Sequence, residues 1–413
     1  MMMHFLSSGG IRMLDIAAGA IAVPEASPVA LGYHAASNAF WAADKSVGLV
    51  LPAVLLLTGW GARWYAAIAL RCKGRKRLPV LLFALGYFAL DRGMRAIVDF
   101  AWASAYNRAS RLPGPVLSEW MPGKLAESMT WMLAASLATM IGYRVLARAP
   151  HRAWLGFAAV ASLLFASALL IEPLTQSYAS LGTSPVEARL AEAGRRVGIP
   201  RDRIVLQACV SADACPPGRV IGVGPTRLMV LNAASLRVDP EAWTQQTFAH
   251  EAKHFVVDDN IKAVLLLVCL SCLFAGSIHA IGGALASRCG ARCGFSSLVE
   301  PASLPLIALL FCALQLAVLP PLNAYRQHVE READRFALEM TRRNDVQGEM
   351  LAAHARGPLA VPESSRFAKW FRNSHPSDAE RIRLANTYRP WAEGRSLRYA
   401  RQLRRVGADE RTD

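Results

Sequence analysis

Long apolar segments without formal charge constrain the fold of this chain more than any other feature of its sequence. Residues 263–286 and 301–325 contain no Asp, Glu, Lys or Arg, and residues 153–171 form a third run of this kind. A helix needs ~20 residues to cross the hydrocarbon core of a bilayer. We therefore expect each of these three segments to be a transmembrane helix.

Shorter or interrupted apolar segments raise the expected number of spans to about six; they are residues 47–62, 78–90 and 128–143. Flanking arginines that snorkel to the interface extend the two shorter ones, 47–62 and 128–143. The span that begins at residue 78 must admit Asp91, Arg95 and Asp99. These three lie at i, i+4 and i+8 on one helical face and can neutralise one another. The predicted fold is mainly α, a polytopic transmembrane helix bundle.

Polar and apolar stretches divide the chain into five regions. They are an N-terminal segment of uncertain structure, 1–45; a four-span helical bundle, 46–172; a polar insert, 173–262; a two-span hairpin, 263–325; and a C-terminal part with a basic tail, 326–413. Asp15 interrupts the apolar run near the N-terminus and makes it a poor signal peptide. Whether residues 11–33 form an extra span stays open.

The charge of the chain is strongly basic, with 46 Lys and Arg against 31 Asp and Glu. No nucleic-acid-binding motif accompanies this excess, so no nucleic-acid partner is expected. In a polytopic protein, basic residues in short loops set the topology instead. The basic loops 71–77, 144–152 and 287–293 fall on one side of the membrane if six spans are right. The lipid bilayer, and not a nucleic acid, is therefore the expected partner of this basic chain.

A pattern of two histidines and a glutamate stands on a helix of the polar insert. His250, Glu251 and His254 form the motif HExxH, and Asp239 and Pro240 signal the start of that helix. Histidines at i and i+4 share one face and can supply two imidazoles to one metal, with the glutamate beside it. Zinc hydrolysis needs three protein ligands, an open position for water and a nearby carboxylate base. The motif therefore predicts a third ligand elsewhere.

Glu330 and Asp334 are the candidates for completing this site. They repeat the i, i+4 spacing on a helix that leaves the last span. Two membrane crossings separate this helix from the HExxH motif, so the chain returns to the side that it left. Both halves of the site are therefore expected at one membrane face.

Four segments together resemble a known family; they are "HEAKH" (250–254), "EREADRFALEMT" (330–341), "GVGPTRLMVLN" (222–232) and "SHPSDAERI" (374–382). The chain from about residue 150 onward resembles the integral-membrane zinc metallopeptidases of the CAAX prenyl protease type, with their bacterial heat-shock protease relatives. The resemblance implies a small α+β zincin-like domain split around the last two spans.

The same resemblance implies roles for individual residues. One Zn²⁺ would be bound by His250, His254 and Glu330, with Glu251 as general base. Asp334 would orient a ligand histidine, and His375 would help stabilise the tetrahedral oxyanion. An edge strand for pairing with the substrate peptide would be formed by Arg227, Leu228, Met229, Val230, Leu231 and Asn232.

Two positions depart from the family pattern. Arg326-Gln327 stands where the family commonly has Ser-Arg, and Pro217-Gly218 stands nearest to its usual Asn-Ala pair. Both departures concern the surroundings of the site, since the metal-binding set is intact. They bear on how substrate is bound.

Residues outside these motifs are expected to have ordinary structural roles. Asp258 and Asp259 are predicted to form the solvated end of the motif helix. The arginine-rich segment 395–405 predicts a basic helix that is either solvated or lies on anionic headgroups. Cys209 and Cys215 would pair if their domain faces an oxidising compartment, which the sequence leaves open.

The function predicted from these features is that of a membrane-embedded zinc metalloendopeptidase. Its substrates would be peptides or proteins, including membrane-associated or lipid-anchored ones, in CAAX-type processing or membrane-protein quality control. The alternative is a non-catalytic scaffold or chaperone-like protein with a structural zinc site, which a fourth protein ligand would close. A multi-pass protein of a bacterial inner (cell) membrane is expected. The basic loops favour a site outside the cytoplasm, and the resemblance favours the cytoplasmic side, with a slight preference for the latter.

Overall fold

The computed structural model of the protein describes residues 19–110, 114 and 116–403. Part of the region proposed as an extra span, residues 11–18, lies outside the described residues, as do the last ten residues of the basic tail. Residues 19–27 have no regular secondary structure. They run along the C-terminal part of the chain, where the Asn386 side chain bonds both the N–H and the C=O of Ile21.

Fourteen α-helices and four strands form the described part of the chain. The helices of the first half are α1 (Pro28–Leu57), α2 (Trp60–Arg71), α3 (Leu78–Ala109), α4 (Leu117–Arg148) and α5 (Ala153–Thr175). The insert contains β1 (Ala179–Ser180), α6 (Pro185–Arg196), β2 (Ile204–Gln207), β3 (Gly218–Ile221), β4 (Leu228–Asn232), α7 (Ser235–Val238) and α8 (Glu241–Val256). The remainder comprises α9 (Asp259–Cys293), α10 (Leu304–Thr341), α11 (Asn344–Ala355), α12 (Arg366–Phe371), α13 (Asp378–Thr387) and α14 (Ala400–Leu403).

The described helices include five that are long and apolar enough to cross a membrane: α1, α4, α5, α9 and the helix that includes α10. A sixth, α3, has 32 residues but also several charged ones in its second half. The prediction of a helical membrane bundle with a small mixed α/β domain is confirmed. The chain is a multi-pass membrane protein.

The start of the first span differs from the prediction. α1 begins at Pro28, where the Ser27 hydroxyl accepts the Ala30 N–H, and not near residue 47. Its first half carries polar residues because that half packs against the C-terminal part of the chain; His34 Nε2, for example, lies 3.0 Å from the Leu359 carbonyl oxygen. Gly59, with φ of 67°, then turns the chain sharply into α2. The part of residues 1–45 from Pro28 onward is therefore helical.

Charged residues of α3 pair partly as predicted. Asp91 and Arg95 form an ion pair of 3.0 Å along the helix. Arg95 also pairs with Asp44 of α1, while Asp99 pairs with Lys124 of α4 at 2.7 Å. The three-residue ladder was therefore wrong for Asp99, because the neighbouring helix offers it a closer partner.

The two ends of the bundle differ in character. At one end lie the basic connections between α1 and α3, between α4 and α5, and between α9 and α10. The apolar contacts there include Phe83, Tyr87 and Leu304, and the Tyr143 hydroxyl lies 3.0 Å from the hydroxyl of Ser303. At the other end the chain leaves α5, forms the mixed α/β domain and enters α9, so that domain and basic loops lie at opposite ends.

The mixed domain has a four-stranded sheet in the order β1-β2-β4-β3. β2 and β4 are parallel, and the two outer pairs are antiparallel. The core between sheet and helices contains Leu190, Ile204, Met229, Phe248 and Phe336. Because Phe248 lies on α8 and Phe336 on α10, burying both fixes the motif helix against the helix that leaves the membrane.

The basic tail is not the helix that was predicted over residues 395–405. Of its described residues, 395–403, only Ala400–Leu403 is helical, and the segment before it is docked on α10. The Tyr399 hydroxyl donates to Glu332 at 2.6 Å, and the Tyr399 N–H donates to Glu339 at 2.8 Å. Arg398 pairs with Glu332 at 2.7 Å. These bonds hold the segment on the mixed domain. It is therefore neither a solvated helix nor a helix that lies on lipid headgroups.

Candidate active site

Two helices bring the predicted metal ligands together. His250 and His254 lie one turn apart on α8, with ring centroids 5.2 Å apart. Glu330 lies on α10, and its Oε2 is 3.2 Å from His250 Nε2 and 3.9 Å from His254 Nε2. One ligand atom from each residue fits within a group no wider than 4.8 Å.

The spacing of these three atoms fits a zinc ion. Two bonds of ~2.0–2.1 Å at a tetrahedral angle separate their ligand atoms by about 3.3 Å. Two imidazole nitrogens and a carboxylate oxygen are also a ligand set that zinc uses in hydrolytic sites. Among the described residues this is the one group of His, Cys, Asp and Glu close enough to hold a metal.

A buried carboxylate holds the outer nitrogen of His250. Asp334 Oδ1 lies 3.1 Å from His250 Nδ1, and its side chain is 2% exposed. Arg381 of α13 donates two hydrogen bonds to this carboxylate, of 2.8 and 2.7 Å. These two hydrogen bonds from the guanidinium compensate the buried negative charge of Asp334 and fix the orientation of its carboxylate. Sequence reasoning singled out Asp334 but missed Arg381, because no local spacing connects α13 to α10.

A second carboxylate holds the outer nitrogen of His254, and it is one that the sequence assigned to solvent. Asp259 Oδ2 lies 2.9 Å from His254 Nδ1, and Lys253 donates to the same oxygen at 2.6 Å. The expectation of a solvated Asp259 was wrong because Asp258, with φ of 49°, reverses the chain before α9. Asp258 itself caps α9 through the Ile261 N–H. Both imidazoles thus have Nδ1 held and Nε2 turned toward Glu330.

Burial and charge act on the pKa of His250 in opposite directions. Burial lowers the pKa, but hydrogen bonds to Asp334 and Glu330 outweigh it and raise the pKa to about 10. The metal-free site therefore holds a proton on His250 at neutral pH. A metal ion must displace that proton, so its apparent affinity rises with pH.

Glu251 lies against the first residue of β3. A Cβ atom on Gly218 would come within 2.8 Å of Glu251 Cγ and 3.1 Å of Thr247 Cγ2. A residue without a side chain at position 218 therefore lets the strand approach α8 this closely. The departure at Pro217-Gly218 has a structural reason, since it places backbone, and not a side chain, beside Glu251.

The predicted substrate strand is an interior strand. Residues Leu228–Asn232 form β4, which pairs with β2 on one side and β3 on the other and has no free edge. The assignment of 227–232 as the open edge was therefore wrong. Arg227 fastens the preceding turn to α8, with its guanidinium over the Phe255 ring. The free edge of the sheet on the side of α8 is that of β3.

His375 lies at the open side of the candidate metal site. Its Nε2 is 3.5 Å from Glu330 Oε2, and its side chain is 61% exposed. The Ser374 hydroxyl lies 2.9 Å from its Nδ1. His375 is thus close to the three candidate ligands and remains accessible to a bound molecule.

Comparisons with known proteins agree with this geometry. The profile of peptidase family M48 matches residues 186–389, which include all the site residues described above. The chain is 26% identical over 225 residues to the uncharacterized metalloprotease YhfN of Bacillus subtilis (strain 168). That alignment covers 54% of this chain and 52% of YhfN, so the chain matches about half the length of this relative. The fold is similar to that of S. mikatae Ste24p, with a TM-score of 0.61 and 15% identity over 89% of this chain and 92% of that one.

Proposed function

We propose that this chain, whose residues 186–389 match the profile of peptidase family M48, is a membrane-embedded zinc metalloendopeptidase that hydrolyses peptide bonds at the membrane surface. One observation carries the proposal: two imidazole Nε2 atoms converge with Glu330 Oε2, and each Nδ1 atom is held by a carboxylate, that of Asp334 or Asp259. The group contains three protein ligands, as a catalytic site requires, whereas a structural site is closed by a fourth. This favours the enzyme over the scaffold.

The residues around the candidate metal site have distinct roles in the proposed reaction. A bound zinc ion supplies Lewis acidity that lowers the pKa of water toward neutrality. Glu251 accepts the proton that the attacking water loses, and it later returns that proton to the leaving amine. His375 donates a hydrogen bond to the carbonyl oxygen of the substrate as negative charge develops there. Asp334 and Asp259 keep the two histidines in the orientation that leaves Nε2 free.

The substrate peptide is proposed to pair with β3 and not with β4. The Pro217 carbonyl accepts the Asn232 N–H, so by the alternation of an antiparallel pair the backbone groups of Gly218 and Val220 point away from β4. The Val220 carbonyl accepts a hydrogen bond from the Asn260 side chain at 3.1 Å. Gly218 thus offers both its N–H and its C=O next to Glu251. Pairing there would lay an extended peptide across the metal site.

Removal and return of the metal test this function. Purified protein is expected to cleave an unstructured reporter peptide, and a zinc chelator should lower the rate at least ~10-fold, since the ion provides the Lewis acid. One equivalent of zinc per chain should restore the rate, with an apparent affinity that increases from pH 6 to pH 8 because His250 must lose its proton. The proposal would be contradicted if the chelator left the cleavage rate unchanged while the protein held less than one tenth of a zinc ion per chain.

The site is proposed to lie outside the cytoplasm, although the family resemblance slightly favoured the cytoplasmic side. The three basic connections, residues 58–77, 144–152 and 287–303, contain eleven Lys or Arg and one acidic residue. Positive loops stay in the cytoplasm, and the peptidase domain lies at the opposite end of the bundle. In that domain Cys209 and Cys215 form a disulfide, which is typical of an oxidising compartment.

Accessibility measurements test this orientation. A C-terminal tag on the intact chain should be removed by protease added to spheroplasts, because the chain after α10 stays with the peptidase domain. Cys289, exposed at the basic end, should react with a membrane-impermeant maleimide only after the membrane is opened. Protection of the tag together with labelling of Cys289 in closed spheroplasts would reverse the assignment.

A further inference from the structure

The segment that carries His375 is fastened to α10 through its backbone. Gln327 Nε2 donates to the carbonyl oxygens of Lys369 and Asn373, both at 2.8 Å. Asn323 Nδ2 donates to the Trp370 carbonyl at 2.9 Å. Three carbonyl groups, two in the last turn of α12 and one two residues before His375, are thus bound by side chains of one transmembrane helix.

Burial makes these bonds consequential. Gln327 is 2% exposed and Asn323 is 4% exposed. A buried amide N–H that loses its acceptor costs ~1–3 kcal/mol, so these two side chains hold the segment strongly where they meet it. Burial also excludes direct contact between Gln327 and a peptide substrate. Its influence on the reaction must act through the segment that it binds.

The position of Gln327 on α10 links the segment to the candidate metal site. Gln327 precedes Glu330 by three residues, which places the two side chains on neighbouring parts of one helical face. The helix is continuous from Leu304 to Thr341. It therefore sets the distance between the third candidate ligand and the point where the His375 segment is attached.

A second attachment ties the same segment to α1. Arg372 donates to the Ser37 hydroxyl at 2.9 Å and to the Asn38 side-chain oxygen at 2.5 Å. The segment between Lys369 and His375 is therefore held by two membrane helices. His375 itself is the exposed member of this segment, so its place depends on the backbone that these helices hold.

We propose that Gln327 is a positioning residue that sets the location of His375 relative to Glu330, with Asn323 in a supporting role. This inference rests on the proposed function in assigning His375 to the transition state. It also gives a structural reason for glutamine at the position where the sequence departs from the family pattern. An amide with two N–H groups can bind two carbonyls at once, as Gln327 does.

Kinetics of Gln327→Ala test the proposal. We expect kcat to fall ~10- to 100-fold, the range for a catalytic group displaced by about 1 Å, with KM and zinc content close to wild type. In a His375→Ala background the same substitution should lower kcat less than two-fold further, because the group that it positions is already absent. Gln315→Ala, which removes an exposed glutamine of α10, is the matched control and should leave kcat unchanged. Multiplicative losses in the double variant, or a wild-type kcat in Gln327→Ala, would overturn the proposal.

Hydrogen exchange provides a measurement that does not need activity. In Gln327→Ala, the backbone amides of residues 369–375 should exchange at least ten-fold faster, while those of α8 keep wild-type rates. Asn323→Ala, which removes one bond of the three, should show a smaller change in the same residues and serves if Gln327→Ala does not fold. Unchanged exchange over residues 369–375 in a folded variant would refute the positioning role of Gln327. If Gln327→Ala shows faster exchange but the wild-type protein shows no zinc-dependent cleavage, Gln327 still positions the segment and the peptidase function is rejected.

Discussion

Replacing Glu251 by glutamine is expected to abolish peptide hydrolysis while zinc stays bound. The carboxamide has the size of the carboxylate and fits the space beside Gly218, where a Cβ atom would already come within 2.8 Å of the side chain. It cannot accept the proton that the attacking water must lose. General base catalysis contributes ~10²- to 10⁴-fold, so we expect kcat/KM to fall about 1000-fold. The measurements are cleavage of a quenched fluorescent peptide and zinc content per chain.

Glu241→Gln is the matched control for this variant. Glu241 lies in the first turn of the same helix, pairs with Arg189 and is 34% exposed in its side chain. Exposed ion pairs contribute little to stability, so this variant should keep its activity within about two-fold. If Glu251→Gln retained more than a tenth of the wild-type rate, with His250→Ala inactive in the same preparation, Glu251 would not be the general base.

Local helical spacing made part of the site predictable from the sequence. His250 with His254, and Glu330 with Asp334, each stand at i and i+4, a spacing that places both members of a pair on one face. The even number of crossings between the pairs then indicated that they meet at one membrane surface. The structure places these four residues together.

Features that depend on tertiary contacts escaped the same reasoning. Asp259 reaches His254 only because Asp258 adopts a left-handed backbone conformation, which no spacing rule foresees. Arg381 meets Asp334 across 47 residues of chain. The open edge of the sheet is β3 because β4 pairs in parallel with β2, a long-range pairing. Hydropathy likewise placed the first span too late, because polar residues in the first half of α1 bond to the C-terminal part of the chain.

α10 connects the transmembrane bundle directly to the candidate metal site. Its first half packs in the membrane beside Phe83 and Tyr143, and its second half carries Gln327, Glu330 and Asp334. The helix continues through Phe336, which is fully buried in the core of the peptidase domain. A displacement of this helix in the bilayer would therefore move the third candidate ligand and the His375 segment together. This arrangement explains how a site at the surface keeps its geometry while half of its support lies in lipid.

Replacing Glu330 by glutamine is expected to weaken zinc binding and abolish hydrolysis without unfolding the domain. Structural zinc sites with four ligands bind with about 10–16 kcal/mol, or roughly 3 kcal/mol per ligand, so losing one charged ligand should lower affinity about 100- to 1000-fold. Asp259→Asn should lower it less, by ~10- to 100-fold, since Asp259 acts through His254. Competition titration with a zinc indicator measures the zinc affinities of the wild type, Asp259→Asn and Glu330→Gln, which should decrease in that order.

Glu332→Gln separates loss of metal from loss of structure in this experiment. Glu332 lies two residues from Glu330 on the same helix but on another face, where it accepts from Tyr399 and pairs with Arg398. Its side chain is 7% exposed, so weakening these bonds should lower the free energy of unfolding by ~1–3 kcal/mol and leave zinc affinity unchanged. The two variants should therefore show opposite profiles, Glu330→Gln stable with weak zinc binding and Glu332→Gln destabilised with zinc retained. Wild-type zinc affinity in Glu330→Gln would mean that the ion is held elsewhere, because two imidazoles alone cannot match the affinity of the three-ligand set.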